Sequence, residues 1–194
     1  MNKEGHAIPF LFKRKINELI TLTDTGKSLL LTIIKHRQVA KNEYLLQEGQ
    51  ICRHIYFIES GCLRTFYNKD GKEINLNFAL ANNFTTNLKS LRTGSVSGQN
   101  IQAIEPASVI EFDKQALFEL YQQSNEITSL GRILLELLLM EQEEHTHIFK
   151  LLTPKERYHY LEKNNPELLQ KVSLSQLATY LGVSRETLSR IRKQ

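Results

Sequence analysis

Cysteine is scarce in this chain of 194 residues, and its scarcity excludes several kinds of site. The only two, Cys52 and Cys62, form no CxxC pair, and no histidine cluster with metal-ligand spacing lies near them. An iron–sulfur cluster needs more thiolates than these two residues can supply. We therefore expect two buried structural thiols, with no metal and no cofactor. A disulfide between them is the alternative, against which a cytoplasmic setting argues.

Long apolar runs are missing as well. The longest, Ile133 to Met140, is too short to cross a bilayer and contains Glu136. The apolar patch Ile8 to Phe12 is interrupted by Pro9 and followed by three basic residues, so it does not resemble a signal peptide. No pairing of a nucleophile with a base and no pair of carboxylates stands out, which argues against an enzyme. These absences predict a soluble, cytoplasmic protein that has no membrane partner.

Positive charge is present, and it is spread unevenly. The formal net charge is +4, but the residues from Lys150 onward contain nine Lys and Arg against four Glu, a local surplus of five. The preceding residues therefore carry a net charge of −1. A basic block of this kind is typical of a module that faces nucleic-acid phosphates.

The same block, from Ser173 to Lys193, predicts two short helices joined by a tight turn. Gly182 supplies the turn and Ser184 is a natural N-cap for the second helix. The inward-facing residues at helical spacing are Leu174, Leu177, Ala178, Leu181, Leu188 and Ile191. The pattern indicates a helix-turn-helix whose basic outer face enters a DNA major groove, the alternative being a helical pair with a merely solvated face.

Short β-branched and aromatic runs occupy the middle of the chain from Gln38 onward. They are separated by Gly49, Gly61 and Asp70-Gly71, and the last of these is a strong signal for a two-residue hairpin. Many short strands at even spacing predict a small β-barrel or roll.

Helices are predicted on both sides of this roll. Residues 8–36 are expected to be mostly helical with a break at Asp24-Thr25-Gly26, and Asp113 is expected to cap a short helix that ends by residue 124. A long helix then covers residues 125–150, and Thr153 begins the next helix. The long helix carries a heptad-like seam, which we expect to form a dimer interface, made of Ile127, Leu130, Leu134, Leu137, Glu141 and Ile148. The alternative is packing on its own roll, which must hold for part of the helix.

Three stretches resemble the β-roll of cyclic-nucleotide-binding domains: Leu45 to Gly49, Ile55 to Gly61 and Asp70 to Glu73. Joined to the helix-turn-helix, they make nearly the whole chain similar to the cyclic-AMP receptor protein/fumarate-nitrate regulator (Crp/Fnr) family of bacterial transcription factors. The resemblance implies an α+β fold with three parts. These are an N-terminal cyclic-nucleotide-binding-like jelly roll with flanking helices in residues 1–124, a dimerisation helix in 125–150 and a small all-α helix-turn-helix domain in 151–194.

The cyclic-nucleotide cassette of that family is degenerate here. The cassette carries a Gly-Glu pair for the ribose and, further along, an Arg followed by Ser or Thr for the cyclic phosphate. Neither occurs in Asn82 to Leu88 or in Ser97 to Asn100. Without a cation, the lost hydration of a cyclic phosphate would go uncompensated. We therefore predict that the chain does not bind cyclic AMP by the standard mode. The roll either binds an unidentified small-molecule effector or serves as a scaffold.

The recognition helix matches the family's Arg-Glu-x-x-x-Arg arrangement at Arg185, Glu186 and Arg190. Arginine can bond to guanine O6 and N7, and glutamate can accept from cytosine N4, so these three residues are the predicted base contacts. The predicted phosphate contacts are Thr153, Ser184, Thr187, Ser189, Arg192 and Lys193.

Two points qualify this DNA-binding prediction. The position and charge of Arg192 and Lys193 are explained equally well by a frayed, solvated C-terminus that makes no phosphate contact. The sequence given also stops at Gln194, without the β-hairpin wing of many family members, which predicts fewer phosphate contacts and stronger salt dependence.

The predicted function is a sequence-specific transcriptional regulator that binds a palindromic operator in double-stranded DNA as a homodimer. RNA polymerase is a candidate further partner. The alternative is a small-molecule-sensing or protein-interaction module whose helix-turn-helix no longer reads DNA.

Overall fold

The computed structural model describes residues 9–193 and confirms the predicted α+β class. The strands among the described residues are β1 (Ile34–Val39), β2 (Tyr44–Leu46), β3 (His54–Ser60), β4 (Cys62–Lys69), β5 (Lys72–Leu80), β6 (Phe84–Thr85), β7 (Asn100–Ala103) and β8 (Ala107–Asp113). The helices are α1 (Phe10–Leu19), α2 (Asp24–Ile33), α3 (Leu88–Thr93), α4 (Lys114–Tyr121), α5 (Asn125–Leu151), α6 (Pro154–Asn164), α7 (Pro166–Lys171), α8 (Leu174–Leu181) and α9 (Arg185–Ile191).

The strands form the predicted jelly roll from two four-stranded antiparallel sheets. One sheet has the order β1-β8-β3-β6 and the other has the order β2-β7-β4-β5. The sides that face each other enclose a core in which Ile58 pairs in register with Val109, and both side chains are fully buried. Leu63 and Ile101 complete this core from the second sheet.

The opposite face of the first sheet is covered by helices. Side chains alternate along a strand, so Phe57 and Ile110 point away from the second sheet. They share a buried cluster with Phe12 of α1 and Ile127 of α5, and the rings of Phe12 and Phe57 lie 5.3 Å apart between centroids. This sheet is therefore buried on both sides, and the first turns of α5 are anchored in the roll.

The predicted hairpin at Asp70-Gly71 is confirmed. β4 ends and β5 begins on either side of these two residues, whose φ angles are +51° and +76°. A two-residue turn of type I′ needs positive φ at both central positions, which glycine adopts freely and aspartate tolerates.

The predicted break in the N-terminal helices is wrong by a few residues. Asp24 begins α2 instead of interrupting a helix, and the break lies in residues 20–23. The reason is capping, because the Thr23 hydroxyl accepts the Gly26 N–H at 3.1 Å and Asp24 places a negative charge in the first turn. Ile34, also predicted helical, begins β1.

The later helices follow the sequence more closely. Asp113 caps α4 by accepting the Ala116 N–H at 2.9 Å, and α5 occupies the predicted range with one more residue. Helix α7 was not predicted, although Pro166 occupies its first position, where a missing N–H costs nothing. The division of the chain into domains at residues 124 and 150 remains a prediction. Within residues 9–193, none of the helices has the length and apolar character needed to cross a bilayer.

Candidate nucleic-acid interface

The helix-turn-helix predicted from sequence is present in α8 and α9. Gly182 lies between them with φ +72°, in the left-handed region, and the Val183 N–H returns to the Ala178 carbonyl at 3.0 Å. The Ser184 hydroxyl caps α9 by accepting the Thr187 N–H at 3.1 Å. The predicted inward-facing residues are buried or half-buried in one cluster with α6 and α7.

The outer face of α9 carries the three predicted base contacts. Arg185, Glu186 and Arg190 are all exposed, and Glu186 and Arg190 lie four residues apart on one helical face. Among residues 9–193, neither guanidinium makes a hydrogen bond or an ion-pair contact. Hydrogen bonds from the Glu186 backbone N–H and from Ser184, together with the two nearby arginines, hold the pKa of the Glu186 carboxyl below its usual range. This face therefore presents two cations and one carboxylate at physiological pH.

The predicted phosphate contacts have different surroundings. Arg192 and Lys193 are exposed just beyond α9, and Ser189 is half-buried. The hydroxyls of Ser184 and Thr187 lie 3.1 Å apart at the N-terminus of α9. Thr153 is part of a capping box, in which its hydroxyl donates to the Glu156 carboxylate at 2.7 Å. Their roles toward DNA remain predictions.

Two of the dimer-interface predictions are corrected by the packing of α5. Ile127 and Leu130 are only 0% and 2% exposed in the core of their own chain, so they have no surface left for a partner. Leu134 also packs against that core and is half-buried. The first part of the heptad-like seam therefore packs on the roll of its own chain, which was the alternative to a dimer interface.

The later turns of α5 expose an apolar surface that the sequence reasoning identified only in part. Leu135, Leu139 and Met140 are 48%, 68% and 63% exposed, while Glu141 is also exposed and Leu137 and Ile148 are half-buried. Leu139 and Met140 were missed because a heptad pattern of spacing three and four skips them. Leu139 lies four residues after Leu135 on the same face of the helix, and this spacing was the available signal.

A cleft of about 950 Å³ opens between the roll, α5 and the C-terminal helices. Thr65, Thr85 and Gln99 line it from the roll, and Leu135 and Leu138 line it from α5. Arg157 is the only lysine or arginine among the described residues around the cleft. The lining also includes the carboxylates of Glu141 and Glu144, which disfavour an anion.

The segment that corresponds to the nucleotide cassette is occupied by its own hydrogen bonds. The Asn87 amide donates to Ser97 Oγ at 2.7 Å, and its oxygen accepts the Ser90 N–H at 3.1 Å, which caps α3. Ser90 Oγ accepts the Cys52 N–H at 2.8 Å and donates to the Ser95 carbonyl at 2.6 Å. These groups are buried and already satisfied.

The cysteines are buried and unpaired, as predicted for structural thiols. Burial raises the pKa of the Cys62 thiol to about 12, so this group is not a thiolate near neutral pH. No group of three or more metal-ligating side chains occurs in the part of the chain that the structure describes.

The helix-turn-helix is attached to the roll through strand β5. The Asn75 amide donates to Thr179 Oγ1 at 2.8 Å, and the rings of Phe78 and Tyr180 meet edge to face with centroids 5.4 Å apart. Burial raises the pKa of Tyr180 to about 12. Lys171 of α7 adds an ion pair with Glu105 of the roll. These contacts place α8 against β5, with the outer face of α9 exposed.

The cyclic nucleotide-binding domain family matches residues 36–124, which run from β1 of the roll to the residue before α5. Among curated proteins, the transcriptional activator protein Anr of Pseudomonas aeruginosa is 26% identical over 188 residues. That alignment covers 89% of this chain and 75% of the activator.

Solved structures share the fold at low sequence identity. FixK2 from Bradyrhizobium japonicum has a TM-score of 0.69 at 20% identity, covering 84% of both chains. The catabolite activator protein of Thermus thermophilus has a TM-score of 0.57 at 19% identity, covering 92% of this chain and 85% of that chain. Each alignment covers most of this chain, and at these identities the likeness is one of fold.

Proposed function

We propose that the chain is a member of the Crp/Fnr family of transcriptional regulators and a sequence-specific DNA-binding regulator. The observation that carries this proposal is the outer face of α9. Arg185, Glu186 and Arg190 are exposed on the second helix of the motif, which is the helix that lies in a major groove in proteins of this kind. Their donors and acceptor suit guanine and cytosine edges.

The same proposal includes a homodimer that binds a palindromic operator. The exposed apolar surface of Leu135, Leu139 and Met140 supports self-association along α5, because water contact with that much apolar area is unfavourable. Two copies related by a two-fold axis would place their α9 helices on half-sites about one helical turn apart. The protein would then act in the cytoplasm, with RNA polymerase as a further partner.

For the roll, we propose that cyclic AMP does not bind by the standard mode. Among the described residues, the cleft offers no free cation for a cyclic phosphate. The buried polar groups of Asn87, Ser90 and Ser97 are already engaged in hydrogen bonds within the protein. The volume of the cleft supports a different small-molecule effector, which is also the basis of the alternative function as a sensing module without DNA readout.

Selection from randomised duplex DNA by the full chain tests the proposed function. The wild type should enrich a palindromic sequence. Arg185→Ala and Arg190→Ala should each lose about 1–3 kcal/mol of discrimination between the enriched duplex and a scrambled one, measured by fluorescence anisotropy.

Lys41→Ala is the matched control. It removes one positive charge from an exposed turn of the roll, so it should leave base discrimination unchanged. If the wild type enriches no sequence, or if both arginine variants discriminate like the wild type, DNA readout by α9 is wrong and the sensing module becomes the better account.

A further inference from the structure

Arg157 of α6 lies where three helices end or begin. It stands one turn into α6, which follows α5 after only Leu152 and Thr153. Its side chain reaches past α6 toward the C-terminus of α5 on one side and the C-terminus of α8 on the other. It is half-buried at this junction.

The guanidinium donates to three backbone carbonyls. One terminal nitrogen donates to the Phe149 carbonyl at 2.6 Å, Nε donates to the Leu152 carbonyl at 3.0 Å, and the other terminal nitrogen donates to the Leu181 carbonyl at 3.1 Å. Phe149 is in the last turn of α5, Leu152 is its C-cap, and Leu181 is the last residue of α8.

Each of these carbonyls lies at a helix C-terminus, where no intrahelical donor remains for it and the helix dipole leaves partial negative charge. A guanidinium supplies both the missing donors and a compensating positive charge, because it is always charged and carries its N–H groups in a rigid planar fork. A lysine at this position would supply charge from a single point and could not span the same three acceptors.

Ring packing holds the guanidinium in place. Its central carbon lies 4.6 Å from the centre of the Phe149 ring, and that ring meets Tyr180 of α8 edge to face at 5.5 Å. His145 stacks on Phe149 with ring centroids 4.3 Å apart, and burial lowers the pKa of the His145 imidazole. A neutral imidazole beside Arg157 avoids repulsion between two cations.

We infer that Arg157 is a positioning residue that sets the angle between α5 and the recognition helix. α5 carries the surface proposed for dimerisation, and α8 carries α9 through the tight turn at Gly182. By joining the ends of α5 and α8 in one set of hydrogen bonds, Arg157 fixes how far apart the two α9 helices of a dimer stand. It thereby selects the spacing between half-sites. This inference rests on the proposed function, namely a homodimer on two half-sites.

The strand β5 contacts do not replace this role. Asn75 and Phe78 hold α8 to the roll, and the roll holds only the first turns of α5. Arg157 instead bonds α8 to the last turn of α5, beyond the exposed apolar surface proposed to meet the partner chain. Loss of Arg157 should therefore let the angle between α5 and the helix-turn-helix vary in each chain of a dimer. The helix-turn-helix should stay attached to its roll. We therefore expect the variant to tolerate different distances between the two half-sites, with unchanged base preference within each half-site.

The experiment compares the full-length wild type, Arg157→Ala and Arg157→Lys on a series of operators. Starting from the duplex enriched by the wild type, the spacer is lengthened or shortened by one and two base pairs. Each base pair shifts a half-site by about 3.4 Å and rotates it by about 35°. The wild type should lose about tenfold or more in affinity per added or removed base pair, which is about 1.4 kcal/mol.

Both variants should lose less than about threefold over the same series, and their base preferences within each half-site should match those of the wild type. Arg157→Lys keeps the positive charge but not the planar set of donors. If it behaves like Arg157→Ala in the spacer series, the hydrogen bonds to the three carbonyls, and not the charge alone, set the spacing. Lys163→Ala, an exposed change on the same helix, should keep the strict spacing of the wild type.

Circular dichroism and thermal unfolding check that the variants fold. If Arg157→Ala fails to fold, Arg157→Lys carries the comparison, and Phe149→Leu provides a second variant that removes only the ring beneath the guanidinium. If the folded variants keep strict spacing, the inference is wrong and the proposed function stands. If the wild type enriches no duplex, the proposed function fails and the inference falls with it.

Discussion

Residues 82–100 of the roll and helix α9 are both rich in polar residues, but they use their polar groups in opposite ways. In the roll segment, Asn87 and Ser97 are buried and bonded to each other. On α9, Arg185 and Arg190 are exposed, and among residues 9–193 neither makes a hydrogen bond. The first arrangement stabilises a loop and a short helix, while the second leaves donors free for a partner.

The difference shows why polar composition alone does not locate a binding site. A buried polar group must find its partner inside the protein, because an unpaired one costs free energy. An exposed donor has no such requirement, so an unpaired exposed arginine is compatible with stability and available for recognition. Changing one residue in each region, and measuring both stability and DNA binding, tests this difference.

Asn87→Ala should produce the largest change in the free energy of unfolding. It removes the cap of α3 and one partner of Ser97, so we expect a loss of about 1–3 kcal/mol, measured by urea denaturation. The base preference of the folded variant on DNA should be unchanged.

Arg185→Ala is the matched control for that prediction. Its free energy of unfolding should stay within about 0.5 kcal/mol of the wild type, because surface substitutions away from structural contacts change little. A stable Asn87→Ala variant with altered base preference would reverse the assignment of roles to the two regions.

Ser184→Ala should have a smaller effect, since Ser184 is the N-cap of α9 and its hydroxyl is bonded to the first turn of that helix. Loss of the N-cap should cost about 1 kcal/mol of stability, whereas Ser184→Gly should cost only a few tenths. Operator affinity should fall in both variants, because both lack the hydroxyl predicted to meet a phosphate. Equal affinity of Ser184→Gly and the wild type would remove Ser184 from the phosphate contacts.

Cyclic AMP should have no effect on the thermal unfolding midpoint. A ligand that binds the folded state at a concentration one hundred times its Kd adds about 2.7 kcal/mol of stability, which differential scanning fluorimetry detects readily. Within residues 9–193 the cleft has no free cation for the phosphate, so we expect no shift at millimolar nucleotide. A saturable shift would show that residues 82–100 form a nucleotide site after all.

The elements that sequence reasoning predicted correctly are those with strong local signals. Each of these elements is specified by backbone geometry and a few neighbouring hydrogen bonds at a turn or a helix end, namely at Asp70-Gly71, Asp113, Gly182 and Ser184. Because these determinants lie within a few residues, they can be identified without the tertiary structure.

The errors arise where long-range packing decides. Whether Ile127 and Leu130 face a partner or the roll depends on Phe57 and Ile110, which are far away in sequence. Arg157 gave no sequence signal at all, because its three acceptors are backbone carbonyls, and any residue can provide one.

The attachment of the helix-turn-helix to β5 also determines how the protein can be divided. Cys62 and Phe78 of the roll belong to the same buried cluster as Tyr158, Leu177 and Leu188 of the C-terminal helices. Cutting the chain before α6 would expose this shared interior on both fragments. The roll therefore contributes part of the stability of the C-terminal helices. Joining these helices to an unrelated sensor domain would require other apolar side chains in place of Cys62 and Phe78.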